Sequence, residues 1–294
     1  FTMTQTADAP TGSGFRECIK LDCTTADTSI AAGERLRLEY IFEGQDLQLL
    51  RKGTSDAKPV TVSFYVKGNG NATYMLDLED GDNSRDSTTQ FAVTSSWSKV
   101  VINVPADTTG ALDNDNAASL YMHIWLHAGA TYTGGSYTAG TWASQTNANR
   151  AVGISSLFSS TANNFFITGI QMEVGEFDAN SIAPFQHESF GDNLRRCQRY
   201  RYQYSGVNAE ATGSLAYLFP IDATRNYRRG DVYFPSQMRA APTITRPSGR
   251  LNNASNVTLV AQNQNINSFS LAFDVSTANT DYIQINGYEA TAEL

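Results

Sequence analysis

Hydrophobic and polar residues alternate with a period of two along most of the first 175 positions. Successive side chains of a strand point to opposite faces of a sheet, so this pattern predicts half-buried strands. Glycine, asparagine, aspartate and serine separate the runs, as in turns. Nine such strands without helical periodicity favour an antiparallel sandwich, and a jelly roll is the expected arrangement. The predicted strands are Phe15–Asp22, Arg35–Phe42, Val60–Lys67, Thr73–Glu79, Thr88–Val93, Lys99–Val104, Ser119–His127, Val152–Leu157 and Asn164–Val174.

A short helix and a second β-region are predicted to follow. Pro184 disfavours a helix in front of it, whereas Ser189 begins a capping-box-like Ser-Phe-Gly-Asp. Phe190, Leu194 and Cys197 then recur at helical spacing. Six more strands are predicted: Ser214–Phe219, Asp231–Phe234, Thr243–Thr245, Val257–Ala261, Phe269–Val275 and Tyr282–Asn286.

The sequence therefore predicts an all-β fold in three parts. Residues 1–187 are expected to form a jelly-roll β-sandwich, residues 188–204 a linking helix, and residues 205–294 a second, smaller β-sandwich. A chain of 294 residues is long enough for two cores. It opens with Phe1 rather than Met, so we expect it to be a piece of a longer protein.

The net charge of −8 is unevenly divided. Residues 1–187 carry a net charge of −9 and residues 188–294 a net charge of +1. An acidic first domain disfavours binding to nucleic acid or to anionic membranes. No apolar run approaches the ~20 residues of a membrane span, so neither nucleic acid nor a membrane is an expected partner.

No common catalytic or metal motif occurs, and we predict neither an enzyme nor a cofactor or metal. Asp77 and Glu79 share a strand face, as the paired acids of a glycosidase could, but solvated surface acids are the simpler interpretation. The acids between Asp80 and Asp86 resemble the start of a calcium loop. Phe91 stands where the closing glutamate would be, so a polar hairpin is expected instead.

The three cysteines are predicted to be small buried hydrophobic residues.

The run Tyr121–His127 offers a possible binding face. Its even-numbered members Met122, Ile124 and Leu126 are predicted to face the core, which leaves an aromatic and polar face opposite. Aromatic planes can bury the C–H groups of a sugar, and polar side chains can bind its hydroxyls. The alternative, that Trp125 packs against another domain or subunit, stays open and is the simpler one. With the long loop Ala128–Arg150 included, the candidate glycan-binding residues are Tyr65, Asp77, Tyr121, His123, Trp125, His127, Tyr132, Tyr137 and Trp142.

Several segments resemble the C-terminal regions of bacteriophage tail fibres, especially those of marine and cyanobacterial phages. The strand "FFITGIQMEVG" followed by a "CQRY" helix carries the resemblance. The ordered segments "VSFYVKG", "FAVTSSWSKVVINVP" and "LYMHIWLHAG" are similar to those of carbohydrate-binding-module-like jelly rolls. "YFPSQMRAAPTI" and "YEATAEL" resemble fibre tip domains, and "TWASQTNANRAVG" resembles a shared segment, which favours a structural role for Asn149 and Arg150.

The resemblance implies a non-catalytic adhesin of the virion tail, made in the host cytoplasm, that binds a host-surface polysaccharide or receptor. A structural fibre or head-decoration module is the alternative, and a capsule depolymerase is a distant third because no β-helical repeat occurs. The resemblance also implies a homotrimer joined to other tail proteins through a missing N-terminal part. The helix residues Phe190, Leu194 and Cys197 are the trimer-interface candidates. Host specificity is expected in distal loops, with Arg225, Tyr227, Arg228, Arg250, Asn252 and Asn265 as candidates.

Overall fold

The computed structural model describes residues 1–205, 215–217, 227–245, 250–251, 259–274, 283–285 and 287–293. The chain divides into two compact units, Phe1–Gln186 and His187–Leu294. Both consist mainly of antiparallel strands, so the predicted all-β class is confirmed.

The first unit contains ten strands. They are β1 (Thr2–Thr6), β2 (Cys18–Asp22), β3 (Arg35–Glu43), β4 (Val60–Gly68), β5 (Ala72–Asp80), β6 (Arg85–Val93), β7 (Ser98–Val104), β8 (Ala118–Ala128), β9 (Ala143–Ser144) and β10 (Asn164–Val174). Helical segments are confined to connections: the one-turn helix α1 (Ala130–Thr133) and the 3-10 turns Gly44–Leu50, Asn147–Asn149 and Leu157–Ser159.

The strand order of the first unit is that of a jelly roll. One sheet has the order β1-β2-β10-β4-β7 and the other β3-β8-β5-β6-β9. Without the additional edge strands β1 and β9, eight strands remain in two four-stranded sheets. The last of the eight, β10, lies between the first and the third in one sheet, as two interlocked Greek keys require. The predicted jelly roll is therefore confirmed.

The core lies between the two sheets and follows the predicted alternation. Val62, Phe64 and Val66 of β4 pack against Leu76 and Leu78 of β5, and all five are almost fully buried. Residues one position away on each strand belong to the outer faces. This period-two pattern holds along β4, β5 and β8, where it fixes the register, whereas a bulge between Thr168 and Gln171 interrupts it in β10.

The outer face of the second sheet is covered by its own chain. Residues 129–156, which we call the covering segment, fold back across β5 and β8. Tyr132 and Ala151 of this segment pack on Met75 and Trp125 of the sheet. The segment begins at Gly129, where a Cβ atom would overlap the carbonyl oxygen of Ala31. The central strands β5 and β8 are consequently buried on both faces.

Two details of the first unit differ from the prediction. Val152–Leu157 is not a strand: a turn with Gly153 in the left-handed region (φ 72°) interrupts it, and a 3-10 turn begins at Leu157. The edge strands β1 and β9 were not predicted. Two residues make up β9, and the side chains of β1 are mostly exposed, so neither carries a strong alternation signal.

The second unit begins with the helix α2 (Phe190–Tyr200). Ser189 caps it, because its hydroxyl accepts a hydrogen bond from the Asp192 amide, as the capping box predicted. The strands are β11 (Arg201–Ser205), β12 (Leu215–Tyr217), β13 (Tyr227–Tyr233), β14 (Thr243–Thr245), β15 (Arg250–Leu251), β16 (Leu259–Gln262), β17 (Ser268–Asp274), β18 (Ile283–Ile285) and β19 (Gly287–Thr291).

These strands form three sheets, β11-β19-β14, β12-β18-β15 and β13-β17-β16. Val232 and Phe269 of the third pack against Tyr288 of the first, which gives the unit a small two-layer core. The predicted second, smaller β-sandwich is confirmed.

Candidate functional site

The predicted aromatic and polar face of β8 exists but is closed. Met122, Ile124 and Leu126 face the core, as predicted. On the opposite face, Trp125 and His123 are each 0% exposed and His127 is 2% exposed, because the covering segment lies over them. Asp77 and Tyr132 are buried there too. The prediction that these five residues offer an open glycan-binding face is therefore wrong.

An arginine of the covering segment holds this closed region together. Arg150 Nε donates to Asp77 Oδ2 at 2.8 Å, and its Nη2 forms an ion pair with Glu79. The guanidinium also lies over the Trp125 ring, 5.4 Å from the centroid. Burial alone lowers the pKa of Arg150, but the charges of Asp77 and Glu79 outweigh burial and raise it above its usual value. The group therefore stays charged inside the protein, where its partners compensate it.

His123 extends the same network. Its Nδ1 lies 2.8 Å from Arg150 Nη2 and its Nε2 lies 2.8 Å from Glu39 Oε2. A guanidinium can only donate, so Nδ1 accepts and the Nε2 proton is donated to Glu39. Trp125 Nε1 donates to Asp77 Oδ2 at 3.0 Å. Asp77 Oδ2, His123, Trp125 and Arg150 therefore each bind another protein group, which compensates most of the cost of burying this face.

The network gives Asp77, Glu79 and Arg150 structural tasks. Asp77 and Glu79 share one guanidinium, so they are neither a free acid pair nor solvated surface acids as the sequence suggested. Asn149 also has a structural contact, because its Oδ1 accepts from the Ser136 amide at 2.9 Å. The structural role predicted for Asn149 and Arg150 agrees with these contacts.

The other aromatic candidates are dispersed. The Tyr132 ring lies 5.0 Å from the Trp125 ring, and its hydroxyl binds Arg35. Half-buried Tyr137 packs beside them. Trp142 Nε1 donates to the Pro105 carbonyl at 2.9 Å, which holds that ring internally. Tyr65 lies on β4, in the other sheet.

One part of the outer face remains open around Tyr121. This half-buried tyrosine pairs with Glu79 on β5 and with Ile41 on β3. Glu39 lies next to it in the sheet and forms a 2.6 Å ion pair with Arg37. Burial raises the pKa of Tyr121, and the neighbouring charges of Glu79 and Glu39 raise it further. We call this group, with exposed Asp82, the Tyr121 patch.

Sequence reasoning missed Arg37 and Glu39. They lie on β3, whose alternation was recognised, but the pairing of β3 with β8 connects positions more than 80 residues apart. Parity indicates which residues of one strand share a face. It gives no indication of which strands are neighbours.

The acidic turn after β5 is the predicted polar hairpin. β5 ends at Asp80 and β6 begins at Arg85. Asp80 is buried and forms an ion pair with Lys52, and Asn83 donates to both Asp80 carboxylate oxygens. Asp82 accepts from the Asp113 amide at 2.9 Å. These contacts hold Asp80 and Asp82 within the hairpin.

The tip candidates are only partly described. Arg225 and Asn252 lie outside the described residues. Tyr227 and Arg228 belong to β13 and Arg250 to β15, so these three lie on strands and not in the loops where they were predicted. Asn265 is exposed, and its side-chain oxygen accepts from the Asn267 and Ser268 amides, which stabilises its own turn.

The trimer-interface candidates lie at the surface of the second unit. Phe190 is 83% exposed and Leu194 is 41% exposed. Cys197 is exposed as well, which corrects the prediction that all three cysteines are buried; Cys18 and Cys23 are buried and free.

Comparisons with known proteins add little. No protein-family model matches the chain, and no curated protein matches it. Among solved structures, one titled "Red Clover Necrotic Mosaic Virus" aligns with 92% of this chain and 87% of its own, at 7% sequence identity and a TM-score of 0.17. A TM-score of that size does not indicate a shared fold. The all-β jelly roll itself is compatible with a viral jelly-roll domain.

Among the described residues, no helix combines the length and the apolar character that crossing a membrane requires.

Replacing Arg150 with glutamine should strongly destabilise the first unit. Asp77 would lose its cation while fully buried and Glu79 while half-buried, and breaking one partner of a buried pair costs about 3–5 kcal/mol. Urea unfolding followed by tryptophan fluorescence measures the effect. Arg51→Gln is the control: its guanidinium is mostly exposed and 3.8 Å from Asp56, so its loss should cost under about 1 kcal/mol. Equal effects of the two substitutions would contradict the assignment.

Replacing Asp86 with asparagine should change how stability depends on pH. Burial, followed by the charge of Asp77, raises the pKa of Asp86 to about 7, and its Oδ2 has no hydrogen-bond partner within the described part of the chain. The folded state therefore keeps a proton that the unfolded state releases near pH 4. The contribution of Asp86 to stability consequently falls as the pH rises from 4 to 7, by at most about 1.4 kcal/mol per pH unit.

Asp86→Asn should remove this fall. The free energy of unfolding of the variant should therefore increase relative to that of the wild type as the pH rises from 4 to 7. Urea unfolding between pH 4 and 8 measures both proteins. Asp56→Asn, an exposed substitution, serves as the control and should follow the wild-type profile. Parallel profiles for wild type and Asp86→Asn would show that Asp86 titrates normally.

Proposed function

We propose that this chain is a non-catalytic adhesin of a phage virion fibre, and that its jelly roll binds a neutral host-surface glycan at the Tyr121 patch. The resemblance of the ordered strand segments to carbohydrate-binding-like domains of phage fibres supports the proposal. So does the jelly-roll strand order.

The observation that carries the proposal is the composition of the Tyr121 patch. It combines an accessible aromatic ring with the carboxylates of Glu39 and Glu79 and the guanidinium of Arg37. A tyrosine ring can cover the C–H face of a sugar, and carboxylates accept hydrogen bonds from its hydroxyls. The strands of the second sheet position all four groups, so little ordering would accompany binding.

The charge of the patch favours a neutral ligand. The carboxylates of Glu39, Glu79 and Asp82 border the Tyr121 ring, whereas Arg37 already pairs with Glu39. A uronic or sialic acid would meet like charges there, and such repulsion discriminates between ligands. Neutral polysaccharides are therefore the proposed class.

A depolymerase is not favoured. A glycosidase needs one carboxylate to take up a proton and a second to attack or to activate water. Asp77 is fully buried and, like Glu79, held by Arg150. Neither acid is therefore free to take up a proton or to attack a glycosidic bond.

A structural fibre or head-decoration module is the second candidate. The apolar stripe of α2 favours it, because Phe190 and Leu194 are exposed on a helix of 11 residues. Burial of this stripe between three copies would support assembly both of an adhesin and of a structural module. The loops of the second unit remain the proposed location of host specificity.

The glycan proposal predicts binding without turnover. On an array of neutral and uronic-acid-containing polysaccharides, the protein should retain neutral glycans. Tyr121→Ala should weaken this binding at least about tenfold, because a stacked ring is lost. Tyr65→Ala, an equivalent change on the other sheet, is the control. New reducing ends in the bound glycan, or undiminished binding by Tyr121→Ala, would refute the proposal.

The assembly proposal predicts a homotrimer. Light scattering should give three times the 32.0 kDa chain mass at micromolar concentration. Phe190→Ser with Leu194→Ser should shift the mass towards one chain, since the exposed apolar stripe is removed. Arg195→Ser on the same helix is the control, as its side chain is exposed and charged. A wild-type mass of one chain would contradict the trimer.

A further inference from the structure

Three side chains with metal-binding atoms meet at one end of the second sheet. Asp27 and Glu34 come from the connection between β2 and β3, and His127 comes from the end of β8. One ligand atom of each lies within 4.8 Å of the other two. None of the three belongs to the Arg150 network or to the Tyr121 patch.

His127 is held in position to present one ring nitrogen. The side chain is 2% exposed, and the Phe158 ring packs 4.8 Å from it. Its Nδ1 lies 2.7 Å from Ser156 Oγ, whereas its Nε2 has no hydrogen bond to any residue that the structure describes. If Nδ1 carries the proton and donates it to Ser156, the Nε2 lone pair is available to a metal. Such a second hydrogen bond is the usual way in which proteins orient a histidine ligand.

Both carboxylates are held in a similar way by backbone amides. Asp27 Oδ1 accepts from the Ser29 amide at 3.0 Å, and Glu34 Oε2 accepts from the Ala31 amide at 2.6 Å. The amide of Asp27 also donates to the Phe158 carbonyl at 2.8 Å, which ties this connection to the segment that supports His127. The second oxygen of each carboxylate remains for a ligand.

We propose that Asp27, Glu34 and His127 form a binding site for a divalent transition metal of the zinc class. Imidazole nitrogen with carboxylate oxygen suits zinc, whereas calcium takes oxygen ligands almost exclusively. Two carboxylates beside a neutral imidazole carry a charge of −2 and balance a dication. Water would complete the coordination, because the protein supplies three ligands.

Metal binding would draw the three groups together. Zinc–ligand bonds of about 2.0–2.2 Å place neighbouring ligand atoms roughly 3.3–3.5 Å apart, so a separation of 4.8 Å has to shrink by about 1.4 Å. Glu34 is exposed and Asp27 half-buried, so the β2–β3 connection can supply this movement. The bound metal would fix that connection to the end of β8 and raise the melting temperature.

Zinc titration of the metal-stripped full chain tests the site. Isothermal titration should show saturable binding of one Zn²⁺ per chain, and Zn²⁺ should raise the melting temperature. Co²⁺ substitution should give visible absorption from mixed nitrogen and oxygen ligation. Glu34→Gln and Asp27→Asn should each raise Kd for Zn²⁺ at least about tenfold, as loss of one ligand requires.

His127→Gln should abolish the Co²⁺ absorption, and His187→Gln in the second unit is the matched control that should leave it unchanged. The two carboxylate variants keep the test valid if His127→Gln does not fold. The proposal is overturned if no saturable Zn²⁺ binding occurs, or if Asp27→Asn with Glu34→Gln binds Zn²⁺ as the wild type does. Tighter binding of Ca²⁺ than of Zn²⁺ would likewise exclude the imidazole as a ligand. Glycan binding is independent of these outcomes.

Discussion

The buried ion pairs of Arg150 determine which part of the second sheet of the first unit is exposed to solvent. A guanidinium inside a protein has to be compensated by charge, and Asp77 and Glu79 of β5 provide that compensation. Because Arg150 belongs to the covering segment and the two acids to the sheet, their pairing holds the segment over the sheet. The burial of Trp125 beneath the guanidinium follows from the same contact.

This contact also decides which surface is left for binding. Had the covering segment been absent, the whole polar face of β8 would be open, and Trp125 would be its most prominent group. With the segment in place, only the end of the face around Tyr121 meets solvent, beside Glu39 and Arg37. The second sheet thereby has a hydrophobic cluster on each face. Less of its outer face is accessible to a ligand.

Alternation predicted the jelly roll because each long strand keeps one face in the core. Phe64 and Leu78 could be assigned to that core from their own neighbours in sequence. The covering segment could not be predicted in this way. Asp77 and Arg150 are 73 residues apart, and nothing local to either residue indicates the other. Parity correctly placed Trp125 on the outer face, but an outer face is exposed only if no other part of the chain covers it.

The same reasoning explains the error at Val152–Leu157. This stretch alternates because Ile154 packs on the outer face of the second sheet and Leu157 reaches the main core. Its backbone turns at Gly153, however, and the Ser155 amide donates to Thr73. Hydrophobic alternation therefore arose from a segment that crosses between two buried surfaces, not from a strand. The segment is thus fixed at both Arg150 and Ser156, where the hydroxyl meets His127. The side-chain contacts of Arg150 and His127 therefore both act on the covering segment, in addition to backbone hydrogen bonds such as those from Gly140 to Thr88 and from Ser155 to Thr73.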